Sequence, residues 1–408
     1  MSFLIFGLWY FRVLTISIDN PILRYGVPLL TLALILAFVL INTQALPKLL
    51  KNISFRYFLF LFAILIGSTA IAYLNNMPLM SSVSALLKFL LMGGFFALGY
   101  ILALYGKQQL ALFLVASTAL CHLLAGLFGY FLGYGEVIQD VLRPTGIAGK
   151  VNILANLALF MCVFYGVRGF FEKQNKVALL SIALLALVMI FFSGTLKNVV
   201  SLIGAFGVYA LLGAKRKFLT ITVMILVFVP TVILLALYTP IGDRIIEAFV
   251  AGIDVEVEEG QKLESSLQWR MLHWKLLFDD WVNRFLFLGA GFGQVGNMNA
   301  LKTVSGEGFQ AHSDWVQFWV ELGPIMFFVF IWGHFKMLQP LYEKSKEGNT
   351  LALALFFAFV SQSIAMLAGP VYFSVSFFYY FWLLLGIISA DVDSAKFSNN
   401  LKKADKLP

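Results

Sequence analysis

Apolar stretches of membrane-crossing length follow one another almost without pause. They fall at 2–18, 25–43, 57–74, 82–105, 110–132, 152–171, 177–193, 198–214, 218–239, 313–335, 350–368 and 373–390. A bilayer core is crossed by about 17–25 predominantly apolar helical residues, and most of these runs reach that length. Composition agrees, since 61% of the 408 residues are hydrophobic and 12% are charged, against roughly 45–50% and 25% in soluble domains. The chain therefore reads as an all-α polytopic integral membrane protein of about 12 transmembrane helices. Nine spans occupy residues 1–238, one large loop containing amphipathic helices occupies 239–312, three more spans occupy 313–390, and 391–408 form a tail. The first run carries Arg12 and leads directly into the next, so no cleavable signal peptide is expected.

Lysine and arginine placement orients these spans. Twelve spans put both termini on one side. That side holds Lys48, Lys51, Arg56, Lys107, Arg168, Lys173, Lys176, Lys215, Arg216, Lys217, Lys336, Lys344, Lys346 and the tail lysines, 17 basic residues in all. The other side holds ten, six of them inside the long loop, where charge has less topological weight. The 17-residue side is read as cytoplasmic, and loops 133–151, 194–198 and 239–312 then open outside. The net charge of +8 is thus spread over short connectors as topology information, and it does not point to nucleic acid. The chain offers no nucleotide-binding domain, so external chemistry must draw on an already activated substrate or on a gradient.

The long loop opens on an acidic stretch with Asp254, Glu256, Glu258 and Glu259, read as solvated surface. After it, ESSLQWRMLHWKLLFDDWVNRFLFLG has helical periodicity in Leu267, Met271, Trp274, Phe278, Trp281, Val282 and Phe285. Ser265 or Ser266 would cap this helix, and Arg270, His273, Asp280 and Arg284 form another stripe. Gly291, Gly293 and Gly296 have dinucleotide-fingerprint spacing but lack its strand–turn–helix setting, so they read as a tight turn. Asp391 and Asp393 read as charges at a helix end, and Cys121 and Cys162 lie within apolar runs. With no metal-ligand spacing, no metal and no cofactor are expected.

Of the four histidines, His122 and His334 read as satisfied structural residues. His312 stands at the mouth of a span and is followed at helical spacing by Asp314, Gln317 and Glu321. Polar groups there are costly unless they face a cavity or a partner. Lys197 interrupts an otherwise apolar hairpin and Arg143 precedes a span. Each could be an interfacial residue snorkelling to headgroups; together with Arg270 they could instead surround an anion.

The order RPTGIAGKVN, SGTLKN, SLQWRMLHWK…LGAGFG and AHSDWVQFWVELG resembles the O-antigen ligase and polymerase superfamily of membrane glycosyltransferases, over residues 140–335. It is most similar to the ligases, in which a histidine–serine pair is followed by nine residues and a glycine. Here these are His312, Ser313 and Gly323. The resemblance implies inverting, metal-independent transfer of O-antigen polysaccharide from undecaprenyl diphosphate to a sugar hydroxyl of lipid A–core. The setting would be the periplasmic face of a bacterial inner membrane, among membrane lipids. It implies catalytic roles for His312, Arg270 and Lys197, the last standing where the family has arginine. Met326 stands where the family has glycine, threonine or tyrosine. Arg143, His273, Trp274, Ser313, Asp314, Gln317 and Glu321 would contact diphosphate or glycan, with Asp314 or Glu321 orienting the imidazole. A polymerase of the same superfamily would use a lipid-linked glycan as acceptor, and a protein O-oligosaccharyltransferase would use a protein. A transporter or flippase would instead carry charged residues near mid-membrane in paired repeats; Lys88 lies within a span, but no repeat accompanies it.

Overall fold

A computed structural model describes residues 2–212 and 266–390, apart from 19, 139, 140, 303–305 and 307. The expected span 218–239, the acidic stretch and the tail with Asp391 and Asp393 lie outside the described residues. In chain order the helices are α1 (Ser2–Leu14), α2 (Val27–Ile41), α3 (Leu46–Lys51), α4 (Ile53–Leu74), α5 (Leu79–Leu104), α6 (Gln108–Phe131) and α7 (Val151–Phe171). They continue with α8 (Lys176–Phe192), α9 (Leu196–Leu212), α10 (Ser266–Arg284), α11 (Asp314–Lys346), α12 (Thr350–Ala365) and α13 (Ser376–Ala390). A small antiparallel hairpin, β1 (Glu136–Ile138) with β2 (Val141–Arg143), links α6 to α7 in the register Val137↔Leu142.

Among the described residues, six helices are long and apolar enough to cross a membrane: α4, α5, α6, α7, α11 and α12 with the turn that extends it to Ala368. Five further apolar helices, at Leu4–Leu14, Val27–Ile41, Lys176–Phe192, Leu196–Tyr209 and Ser376–Ala390, are shorter. This is the all-α bundle of a multi-pass membrane protein. Its centre is legible from burial, because α5 and α7 bury 72% of their most apolar windows and α4 only 28%. A helix that is apolar on every face belongs inside. There the backbones of α5 and α13 come into close approach, with Gly99 against the Leu383 carbonyl and Gly386 against that of Phe96. Small residues permit such contact where lipid supplies no hydrophobic drive between helices.

Side-chain bonds define the two ends of the bundle. At one end, Asn52 donates through Nδ2 to the Ser389 carbonyl (3.3 Å), and Ser54 donates to that of Met337 (2.8 Å). At the other, Asn75 donates to Gly289 (3.1 Å), Ser82 to Phe292 (2.5 Å) and Trp315 Nε1 to Ser363 (3.0 Å). This second end carries the candidate site. The expected span 313–335 extends as α11 to Lys346, and it is broken at Gly323, whose φ of 70° no helix contains.

Candidate functional site

The break at Gly323 organises the site. It separates a short helix, 314–322, from the long remainder of α11. A helix end leaves carbonyls without partners, and here the turn after α10 supplies them. Ala290 N donates to the Val320 carbonyl (2.9 Å) and Gly291 N to that of Glu321 (2.8 Å). Gly323 needs its left-handed φ for this docking, and a side chain there would run into the Phe287 carbonyl. The turn is held in turn by the spans below it: Gln294 Nε2 donates to the Pro78 carbonyl (2.9 Å) and to Ser82 Oγ (2.7 Å). The glycine-rich stretch is therefore a docking turn, as its sequence setting implied.

The other end of the short helix is capped by Ser313, whose Oγ accepts from Val316 N (3.3 Å) and donates to the Met366 carbonyl (3.2 Å). His312 precedes the cap with φ 54°, an unusual left-handed conformation for a non-glycine residue. Helix α10 lies across this junction. Its Trp274 indole donates to the Ala311 carbonyl (2.5 Å). Trp269 stands edge-to-face with His312 (5.0 Å between centroids) and with Phe309 (5.1 Å), and stacks on His273 (5.0 Å). A small core of Leu277, Phe285, Val295, Met298 and Val320 fixes α10 to the short helix. Leu277 takes a buried place on the α10 stripe, and Val282, expected there, is exposed because it sits one residue off that face.

Lys197 lies in the first turn of α9, after the tight α8–α9 turn at Gly194. Helices α9, α10 and the entry to α11 bring Lys197, Arg270 and His312 together electrostatically. The His312 ring is held at a pKa of about 4, below the ordinary 6.5. Burial is the largest cause, followed by the charges of Arg270, His273 and Lys197. The His273 ring is fully buried, which also lowers its pKa. The His312 imidazole is accordingly neutral at pH 7. Arg143 is buried at the end of β2.

The carboxylates expected to orient His312 are committed elsewhere. Asp314 Oδ2 accepts from Val371 N (2.6 Å) and Tyr372 N (2.8 Å). Glu321 Oε1 accepts from Val295 N (3.0 Å) and Gln317 Nε2 (3.1 Å). Helical spacing placed these groups near the histidine, but backbone amides of two loops claim them. His334 is satisfied: Nδ1 donates to the Phe330 carbonyl (3.0 Å), which leaves Nε2 to accept from Tyr372 O–H (2.9 Å). Phe309 and the loop 366–372 were not singled out by sequence reasoning, and no role was assigned to Trp269. Trp269 offered only its place on a helix rich in tryptophan, and the loop sits within apolar sequence without a polar signal.

Residues 181–331 match a family model described as O-antigen ligase. The match runs from α8 past the Gly323 break, so it contains Lys197, Arg270 and His312 and leaves Arg143 outside. Comparison with curated proteins gave no match.

Proposed function

We propose, from the match of residues 181–331 to the O-antigen ligase family model, that this protein is a membrane glycosyltransferase that transfers O-antigen polysaccharide from undecaprenyl diphosphate to a sugar hydroxyl of lipid A–core. The observation that carries the reading is the electrostatic convergence of Lys197, Arg270 and His312 from three separate elements at one end of the bundle. By the distribution of basic residues, that end faces the periplasm and both termini face the cytoplasm.

In this mechanism the lipid diphosphate is both activating group and leaving group. Arg270 binds a phosphate oxygen through its planar fork, and Lys197 adds a second charge. The acceptor hydroxyl oxygen attacks the anomeric carbon from the face opposite the diphosphate and gives its proton to a His312 ring nitrogen. The glycosidic C–O bond to phosphate breaks, and undecaprenyl diphosphate leaves with the electron pair, inverting the anomeric centre. His312 begins neutral and able to accept a proton. The arriving diphosphate offsets the Arg270 and Lys197 charges, so the ring gains basicity as the substrate binds. Each charge donor is worth about 10²–10³ in rate and a general base about 10²–10⁴. A cavity of about 410 Å³ is lined by Trp315 and Phe318 of the short helix together with Phe330, Phe359, Met366 and Tyr372. Its apolar wall suits the polyprenyl tail.

The test supplies lipid-linked donor and lipid A–core to purified protein in detergent. His312→Ala and Arg270→Ala should fold and lose transfer by the factors above; near-normal transfer by either overturns the assignment. Glycan appearing on lipid A–core identifies a ligase, and longer chains on undecaprenyl diphosphate identify a polymerase.

A further inference from the structure

Residues 366–372, in the loop that follows α12, are apolar in sequence, yet the segment is bonded at Met366 and again at 370–372. Ser313 donates to its Met366 carbonyl (3.2 Å), Asn156 Nδ2 to its Pro370 carbonyl (3.4 Å), and Asp314 accepts from Val371 N and Tyr372 N. Tyr372 O–H donates to His334 (2.9 Å), and Gln362, which precedes the loop, donates to the Asn156 carbonyl (3.1 Å). These partners come from α7, the cap of the short helix and the long part of α11. A buried carboxylate oxygen that accepts two backbone amides ties this segment to the start of the short helix.

What this tether presents is Gly369. Its backbone is extended, with φ −178° and ψ 162°, a conformation any residue adopts. The demand for glycine is therefore spatial. The Lys197 ammonium seats directly on the Gly369 Cα, and an added methyl would force Nζ, Cε and Cδ to withdraw. The Asp314 carboxylate that holds the loop also lies within the electrostatic reach of Lys197.

We propose that loop 366–372 is the wall that positions the Lys197 ammonium, with Asp314 as the positioning residue that tethers the wall and Gly369 as the bare position on which the ammonium rests. What the positioned charge serves depends on the diphosphate reading above; the wall itself does not. Asp314 thus acts on the anion through Lys197, without touching the imidazole. A methyl at 369 shifts the ammonium by about an ångström, and such a misplacement costs about 100-fold in rate.

The experiment uses the full chain in detergent. Lys197 is labelled with acetic anhydride and quantified by peptide mass spectrometry against exposed Lys275. Gly369→Ala should raise the relative labelling of Lys197, since its seat is filled. Tyr372→Phe, which adds no atom and only loosens the loop, should raise it less. Affinity for inorganic pyrophosphate is read in parallel from tryptophan fluorescence. Gly369→Ala should weaken it by about tenfold, as loss of one bond to a charged group does, and should have no further effect in a Lys197→Ala background. Asp314→Asn, which keeps an oxygen for the two amides, should restore most of what Asp314→Ala loses. Unchanged Lys197 labelling in both Gly369→Ala and Tyr372→Phe overturns the proposal, as does an equal affinity loss with and without Lys197. Altered labelling in a protein that never binds pyrophosphate sustains the wall and overturns the diphosphate reading instead.

Discussion

The His312 ring can be tested without knowing the substrate. Its pKa of about 4, against an ordinary 6.5, corresponds to about 3 kcal/mol favouring the neutral ring at 1.36 kcal/mol per unit. Burial contributes most, and Arg270 is the largest of the neighbouring charges. A nearby like charge shifts a titration by about one unit or more, so Arg270→Ala should recover part of the shift and leave the burial part. Diethyl pyrocarbonate modifies only neutral imidazole, and peptide mass spectrometry resolves His312 from His273. In wild type the His312 modification rate should fall to half near pH 4; in Arg270→Ala the midpoint should rise by about one unit. The folded ring binds fewer protons than the unfolded one between pH 4 and 6.5, so its contribution to stability is complete above about 6.5 and is lost as pH falls towards 4. Thermal unfolding of wild type should therefore drop more steeply on acidification than that of His312→Ala. His273 shifts in the same direction but is present in both proteins, so the difference isolates His312. A wild-type midpoint near 6.5, or one that Arg270→Ala leaves in place, refutes the electrostatic coupling.

Three further outcomes follow from the same geometry. Trp274→Phe keeps the ring packing and removes the indole bond to the Ala311 carbonyl; it should cost about 1 kcal/mol in unfolding and lower transfer by loosening His312. Gly323→Ala places a β-carbon at φ 70° against the Phe287 carbonyl; a loss of about 1–3 kcal/mol should appear as reduced melting temperature and yield. Transfer should persist in EDTA, and loss of activity restored by Mg²⁺ or Mn²⁺ would point to a metal-dependent mechanism.

The bundle was legible in the sequence because the bilayer imposes length and apolarity on each crossing segment directly, and α4 to α7 stand where the apolar runs put them. The motif spacing also acquires a physical meaning. Ser313 caps a helix and Gly323 ends it, so the nine residues between them are the length of that helix, about 13.5 Å at 1.5 Å per residue. Less was legible where two distant segments decide the outcome. Asp314 and Glu321 have helical spacing from His312, but spacing cannot reveal that loop amides at 371–372 and 295 reach them first. The contact of Trp269 with His312 depends on α10 lying across the His312 junction, which helical periodicity within α10 does not specify. Gly369 gave no signal, since the reason for it is an amine arriving from α9.

The loop 366–372 also bears on how the protein is made. Lys197 enters the membrane early in synthesis, whereas the residues that seat it, and the bonds from Ser313 and Asp314 that hold them, wait for α12 and the approach to α13. A nascent chain halted before that point would hold Lys197 unseated and its histidine junction untethered. The geometry of the site would thus be completed in one step, when α12 and the segment after it are in place.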